Sequence, residues 1–284
     1  MGLLALALTA AVAIAFASGT PNRSLFDYDR TAPLDVVHGT VTTSGHVVRQ
    51  KLTFSGDRGK RLAAYFVHPV SGGPWPLVVW TPGNGGDRRE ELPEASAFAR
   101  AGGASLLVDP PPVSDLITCN ASKDLATYVA YVVDRRRAID VAETLPNVDK
   151  QRVGAAGFSF GSSITGTLAG VDRRIAAFAL KSGRGHHTGF TRIVCKRLAK
   201  KKLDAYTARL GVVDPVHWAA SAAPAPMLLQ NGTHDPWTTK ADVLALYRAA
   251  KGPKEVHFYG AGHDLNHAAA TFEMRWLVQK LVHR

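Results

Sequence analysis

The sequence predicts an α/β fold with a mostly parallel central sheet, antiparallel N-terminal strands and helices on both faces. Three observations predict it. Beyond residue 75, short apolar runs alternate with helix-length segments, which is typical of βα units. Two segments that alternate polar and apolar residues precede them, which indicates antiparallel pairing. A chain of 284 residues that is 46% apolar is long enough for one domain with a large buried core.

The predicted elements follow this order along the chain. Residues 36–54 and 61–68 alternate on either side of a turn at residues 55–59 and are predicted to pair antiparallel. Six apolar runs are predicted as the parallel strands: 76–80, 104–108, 152–156, 175–180, 227–230 and 256–259. Helical apolar spacing predicts helices at 90–101, 121–145, 162–170, 239–251 and 266–282.

A Gly-x-Ser-x-Gly pentapeptide, GFSFG at residues 157–161, ends the apolar run at 152–158 and precedes a helix-competent stretch. A strand that turns sharply into a helix exposes the central serine. Glycines two residues away on each side remove side chains that would block the strained turn. Ser159 is therefore the candidate nucleophile.

Two later segments supply the partners that a nucleophilic serine needs. NGTHDPW places Asp235 after the apolar run at 226–230, and GAGHD places His263 after the alternating run at 255–259. Each follows the carboxyl end of a predicted strand, where the loops of an open α/β sheet converge. An imidazole titrates near neutral pH and suits a general base, and the carboxylate would hold it in the productive tautomer.

These motifs resemble the α/β-hydrolase family, in particular its dienelactone-hydrolase-like and acyl-esterase-like branch. The resemblance runs from about residue 62 to the C-terminus and includes LVVWTPGNGGD and RRRAIDVAETLPNVDKQRVGAAGFSFG. It implies a serine hydrolase that cleaves carboxylic esters through an acyl-enzyme intermediate, with Ser159, His263 and Asp235 as the triad and with no cofactor. It also implies an oxyanion hole built from backbone N–H groups, one of them from Phe160.

The loop TPGNGG at residues 81–86 is expected to provide the second oxyanion donor, the N–H of Asn84 by alignment with the family. Pro82-Gly83 stands where the family usually has His-Gly. That histidine commonly fixes the loop through hydrogen bonds, and proline offers neither a side-chain donor nor a backbone N–H. The loop lacks both phosphate-binding glycine patterns, which argues against nucleotide binding.

Other acidic and histidine side chains compete for these roles. Asp264 adjoins the candidate base and Asp214 precedes a proline, but the NGTHD setting fits the acid position better. Four further histidines are expected in loops or on the surface, without a metal, since no carboxylate joins them at ligand spacing: His186, His187, His234 and His267.

The segment 182–217 is expected to form a small cap-like insertion, because it lies between two predicted strands and has no strand periodicity. Phe190, Tyr206 and Trp218 would line an acyl or alcohol pocket or, alternatively, only pack the insertion onto the domain. The basic cluster at residues 196–202 is expected to be a solvated helical face.

The N-terminus predicts export. Residues 3–17 are small and apolar apart from Thr9, and AFA at residues 15–17 matches a cleavage pattern. The run is too short for a secure membrane span. Residues 1–17 are therefore interpreted as a signal peptide ahead of a hydrolase domain at 18–284, with a retained anchor or a misassigned start codon as alternatives.

Export changes the expected state of the two cysteines. Cys119 follows the strand that ends at Asp109, and Cys195 follows the strand that ends near Lys181, so both would lie over the carboxyl edge of the sheet. A Cys119–Cys195 disulfide is expected, with two reduced buried thiols as the alternative.

The net charge of +11 favours electrostatic association with anionic cell walls or membrane surfaces and would attract anionic substrates. The basic cluster lacks interleaved aromatics and reading motifs, which argues against nucleic acid as a partner. The sequence thus predicts an exported serine hydrolase that acts on a small-molecule or polymer-linked ester. A peptidase or thioesterase with the same triad and a non-catalytic cell-surface binding module are the alternatives, and the oligomeric state is not predicted.

Overall fold

The computed structural model describes residues 22–283, and the signal peptide predicted at residues 1–17 lies outside them. Nine strands form one sheet: β1 (Val37–Ser44), β2 (Val47–Ser55), β3 (Arg61–Pro69), β4 (Trp75–Thr81), β5 (Ala104–Val108), β6 (Val148–Phe158), β7 (Ile175–Lys181), β8 (Met227–Gly232) and β9 (Lys254–Tyr259). The helices are α1 (Leu92–Arg100), α2 (Val113–Leu116), α3 (Ala121–Ala142), α4 (Phe160–Val171), α5 (His187–Val194), α6 (Lys200–Leu210), α7 (Lys240–Ala249) and α8 (His267–Leu277), which continues as a π-helical turn over Val278–Val282.

The strand order is β1-β2-β3-β5-β4-β6-β7-β8-β9. The pairs β1–β2, β2–β3 and β3–β5 are antiparallel, and all the pairs from β5 to β9 are parallel. The predicted α/β class is therefore confirmed. All six predicted parallel strands and all five predicted helices are present.

The prediction of one strand over residues 36–54 is wrong. The segment is a hairpin, in which Ser44 pairs with Val47 across Gly45 and His46. Gly45 adopts a φ of 56°, which glycine tolerates without strain. The alternation of polar and apolar residues continues through the turn, so periodicity alone could not locate it.

Two apolar clusters cover the two faces of the sheet. One contains buried residues of α3, α4 and α7, and the other contains buried residues of α1 and α8. Every residue of β4 and β8 is buried, as expected for central parallel strands that pack against helices on both sides. Because β4, β6, β7, β8 and β9 run parallel, their carboxyl ends lie along one edge of the sheet, and the loops that follow them meet there.

The insertion at residues 182–217 is helical and contains α5 and α6. A Cys119–Cys195 disulfide ties it to the loop before α3, so the predicted pair is bonded. The basic residues of the cluster at 196–202 are exposed. Between residues 22 and 283, no helix has the length and apolar character that crossing a bilayer requires.

Candidate active site

Ser159 lies at a sharp turn between the end of β6 and the start of α4. Its φ of 53° and ψ of −116° are strained for a residue with a side chain. Its backbone N–H donates to the Lys181 carbonyl of β7 at 2.8 Å, which holds the turn against the sheet.

The two flanking glycines of the pentapeptide are required by close packing at this turn. A Cβ at Gly161 would overlap the carbonyl oxygens of Thr81 and Pro82. A Cβ at Gly157 would lie 2.5 Å from the carbonyl oxygen of Gly161. The spacing that identified the motif in the sequence therefore has a steric cause.

The three residues predicted to act together lie in hydrogen-bond contact. His263 Nε2 is 2.7 Å from Ser159 Oγ, and His263 Nδ1 is 2.8 Å from Asp235 Oδ2. The other oxygen of Asp235 accepts the backbone N–H groups of Trp237 at 2.8 Å and Thr238 at 2.9 Å, so the carboxylate cannot rotate freely. With Nδ1–H donating to the carboxylate, Nε2 is left as the acceptor for the serine hydroxyl.

Ser182, which the sequence analysis did not single out, fixes the loop that carries the histidine. Its Oγ donates to the His263 carbonyl at 2.6 Å, and its own carbonyl accepts the Thr238 hydroxyl at 3.0 Å. Its backbone N–H donates to the Gln230 carbonyl of β8 at 2.8 Å. One serine just past the end of β7 thus links the acid loop to the histidine loop. Its position directly after a predicted strand was the only feature of the sequence that could have indicated a role for Ser182 at the site.

The loop after β4 is held by a carboxylate. Glu90 Oε2 accepts the backbone N–H of Gly83 at 2.6 Å, which takes over the anchoring expected from the family's missing histidine. Burial raises the pKa of Glu90, although the Gly83 hydrogen bond acts in the opposite direction. Among residues 22–283, no acceptor takes the N–H of Asn84 or of Phe160, and both residues line the cavity beside Ser159.

A buried ion cluster of Lys181, Glu91 and Glu273 lies at the end of β7. Lys181 Nζ lies 2.7 Å from Glu91 Oε2 and 3.1 Å from Glu273 Oε2. Burial by itself would lower the pKa of Lys181, but the surrounding carboxylates raise it by a larger amount. The pKa of Lys181 therefore lies above its ordinary value. Burial raises the pKa of Glu273 to about 7. Since the Lys181 carbonyl accepts the N–H of Ser159, this cluster supports the strained turn.

A cavity of about 490 Å³ opens beside Ser159 and His263. Phe190 lines this cavity, which agrees with the interpretation that aromatic residues of the insertion form a substrate pocket. Tyr206 and Trp218 do not line it and instead pack the insertion onto the domain. They are 2% and 1% exposed. The Tyr206 hydroxyl donates to Asp124 at 2.6 Å, and the Trp218 ring meets Phe26 edge-on at 5.2 Å.

The rival residues lie in other environments. Asp264 is exposed at the cavity rim. Asp214 accepts the backbone N–H and the hydroxyl of Thr188, and burial raises its pKa to about 7. His187 was expected in a loop or on the surface and is instead 2% exposed on α5, where it packs against Phe160. Over the part of the chain that the structure describes, no three His, Cys, Asp or Glu side chains are gathered as a metal ion would require.

The sheet order, the strained serine turn and the loops that carry the histidine and the aspartate define an α/β hydrolase. The chain belongs to the FrsA-like esterase family, whose model matches residues 38–223. The family resemblance that the motifs predicted is thus confirmed, and the chain is a hydrolase of the esterase type.

Solved structures share this fold at low sequence identity. The acetyl xylan esterase from Paenibacillus sp. R4 is 19% identical with a TM-score of 0.75, covering 91% of this chain and 92% of that chain. Acetyl xylan esterase 1 from Thermoanaerobacterium sp. JW/SL YS485 is 17% identical with a TM-score of 0.73, covering 90% and 91%. A cold-adapted esterase from an Arctic intertidal metagenomic library is 16% identical with a TM-score of 0.66, covering 86% and 98%. No curated protein matches the sequence.

Proposed function

We propose that this chain is a serine hydrolase that cleaves carboxylic esters with Ser159 as nucleophile, His263 as general base and Asp235 as the acid partner. The observation that carries the proposal is the continuous hydrogen-bond chain from Asp235 through His263 to Ser159 beside an open cavity. A buried carboxylate, an imidazole and a serine hydroxyl in this order activate the hydroxyl without any further group.

The reaction has two halves. Ser159 Oγ attacks the ester carbonyl carbon while His263 Nε2 takes the hydroxyl proton, and the carbonyl electron pair moves onto its oxygen. The backbone N–H groups of Phe160 and Asn84 stabilise that oxyanion. The intermediate collapses, and the alcohol leaves with the proton from His263, which leaves an acyl-serine. Water then gives a proton to His263 and attacks the acyl carbon. The bond from that carbon to Ser159 Oγ breaks as His263 returns the proton to Oγ, which releases the acid and restores Ser159.

The substrate is proposed to be a small-molecule or polymer-linked ester. The two neighbours with the higher TM-scores are named acetyl xylan esterases. A short acyl group on a sugar polymer is therefore one substrate to test. Trp237 lines the cavity and is 47% exposed, which is compatible with a long alcohol part that extends past it into solvent.

Labelling with a fluorophosphonate probe tests the mechanism. Wild type should be tagged and Ser159→Ala should not, whereas Ser122→Ala, which changes an exposed serine at the start of α3, should be tagged like wild type. Folded wild-type protein that stays unlabelled would refute the proposal and would favour a non-catalytic binding module. Rates on p-nitrophenyl esters of increasing acyl length then define the acyl pocket.

We also propose that the protein works outside the cytoplasm. The apolar N-terminal run and the Cys119–Cys195 disulfide support this, because disulfides persist in oxidising compartments. The exposed basic cluster at 196–202 and the net charge of +11 support association with an anionic surface. Fractionation of the native host should recover the protein outside the cytoplasm with no titratable thiols, and two free thiols would contradict export.

A further inference from the structure

Arg184 is a buried cation on the wall of the cavity beside Ser159. It is 8% exposed, lines the same cavity as Ser159 and follows β7 by three residues. Its Nη2 is fully enclosed and has no hydrogen-bond partner. Across residues 22–283, no carboxylate lies within 4.0 Å of its guanidinium to form an ion pair.

The neighbouring carboxylates are engaged elsewhere. Asp235 accepts from His263, and Asp242 accepts the Thr239 hydroxyl at 3.1 Å and lies 3.7 Å from His186. Of the two acidic residues that line the cavity, Glu90 accepts a backbone N–H and Asp264 extends into solvent. Neither forms an ion pair with Arg184.

A charged group that is buried without a counter-ion is unfavourable, and proteins normally pair such groups or place them at ligand sites. Burial lowers the pKa of Arg184, although the more distant Asp242 and Asp235 carboxylates raise it in part. An arginine nevertheless stays protonated at neutral pH. The cavity wall therefore carries a fixed positive charge without a counter-ion in the described part of the chain, and an incoming anion would supply one.

The surroundings of the guanidinium add a shape requirement. It lies over the Phe190 ring at 5.2 Å from the centroid, and Phe190 meets Trp237 edge-on at 6.0 Å. The aromatic contact stabilises the guanidinium beside the cavity, and the forked donors of an arginine suit a planar carboxylate. The aromatic pair offers apolar surface to the carbon chain that bears it.

We propose that Arg184 is a specificity-determining residue that selects esters carrying a carboxylate, in either the acyl or the alcohol part. This inference rests on the proposed ester hydrolysis. It adds that a carboxylate-bearing ester binds better than its neutral isostere because Arg184 supplies the counter-charge.

Matched ester pairs test the inference and separate the two sources of the carboxylate. Mono-4-nitrophenyl succinate against 4-nitrophenyl pentanoate places the charge in the acyl part, and 4-acetoxybenzoate against 4-methylphenyl acetate places it in the alcohol part. Wild type should prefer the charged member of at least one pair in kcat/KM. Arg184→Gln should reduce kcat/KM for that member by about 10- to 100-fold, because a hydrogen bond to a charged group is lost. The rate on its neutral partner should change by less than about 3-fold.

Two further variants complete the design. Arg197→Gln removes an exposed charge from the same insertion and should leave the charged preference intact, which excludes a general effect of net charge. Arg184→Lys keeps the positive charge but loses the two-pronged donor geometry of the guanidinium, and it should retain part of the preference for the charged ester. It also provides the test if Arg184→Gln fails to fold.

The failures of the two proposals are distinguishable. Wild type that hydrolyses neutral esters but shows no preference within either pair, or a preference that survives in Arg184→Gln, would overturn the role of Arg184. Wild type that hydrolyses no ester at all would refute the proposed function instead. Competitive inhibition of neutral-ester hydrolysis by glutarate gives a readout that needs no turnover of a charged ester: its inhibition constant should rise about 10-fold or more in Arg184→Gln.

Discussion

At the residue scale, Asp235 differs from the rival acids because it contacts the imidazole of His263 while backbone N–H groups hold its other oxygen. One oxygen accepts two backbone N–H groups and the other accepts His263, whereas Asp264 is exposed beside the same histidine. This arrangement holds the carboxylate in place and keeps the imidazole oriented. The proposed assignment of the acid therefore rests on hydrogen bonding, which the NGTHD motif indicated only indirectly.

Asp235→Asn should lower kcat on 4-nitrophenyl acetate by about 10³- to 10⁴-fold with little change in KM, because an amide favours the wrong tautomer of His263. Asp264→Asn should lose less than about 10-fold, since its side chain makes no contact with the imidazole. Steady-state kinetics and circular dichroism on both variants make the comparison. Equal losses in the two variants would show that the acid is misassigned.

Glu90 anchors the loop after β4 through the N–H of Gly83. Glu90→Ala should lower kcat by about 10-fold or more while KM changes little, because the loop that is proposed to supply the Asn84 N–H to the oxyanion loses its anchor. Glu90→Gln keeps an acceptor for the Gly83 N–H and should recover much of kcat. A loss that appears only in KM, or no rescue by glutamine, would mean that Glu90 does not position the loop.

At the element scale, the insertion is attached to the domain at more than one point. The disulfide joins the end of α5 to the loop before α3, and Tyr206 on α6 donates to Asp124 on α3. These ties keep α5, and with it Phe190, over the cavity. Tyr206 and Trp218 therefore contribute to the site indirectly, through the placement of the insertion.

Replacing both cysteines by serine should lower the free energy of unfolding by up to about 4 kcal/mol, the chain-entropy value for a bridge of this separation. The sequence separation is 76 residues. Urea unfolding with and without reductant gives the comparison. Reductant should destabilise wild type and leave the double variant unchanged, and a wild type insensitive to reductant after complete reduction would contradict a stabilising bridge.

At the scale of the whole molecule, stability in acid depends on a neutral buried histidine. Burial lowers the pKa of His187 from 6.5 to about 3. As the pH falls below about 6.5, His187 is therefore protonated in the unfolded chain but stays neutral in the folded chain. The contribution to stability is complete above pH 6.5 and is lost as the pH falls toward 3.

Wild type should consequently lose about 2 kcal/mol more stability than His187→Gln when the pH falls from about 6.5 to about 5. Urea unfolding at several pH values measures the slope. His38→Gln, which changes an exposed histidine, should follow wild type. Parallel curves for wild type and His187→Gln would contradict a neutral buried imidazole.

Local patterns predicted the main features of this fold. Apolar runs located the parallel strands because strands buried on both faces need apolar residues throughout. The glycine spacing located Ser159 because only glycine fits beside that turn. Positions after strand ends located Asp235 and His263 because parallel strands bring their carboxyl ends to one edge.

The sequence by itself therefore determined the fold class and the residues that could form a triad, since these depend on local periodicity, steric exclusion and position after strand ends. Its motifs also carried the resemblance to the family. Only the tertiary structure decided that Glu90 anchors the loop after β4, that Ser182 links two loops, and that Arg184 has no ion-pair partner among the described residues. It also decided that Tyr206 and Trp218 lie in the interior and Phe190 at the cavity. These properties depend on which side chains distant in the chain become neighbours, and burial and hydrogen bonding between such residues leave no periodic signal in the sequence.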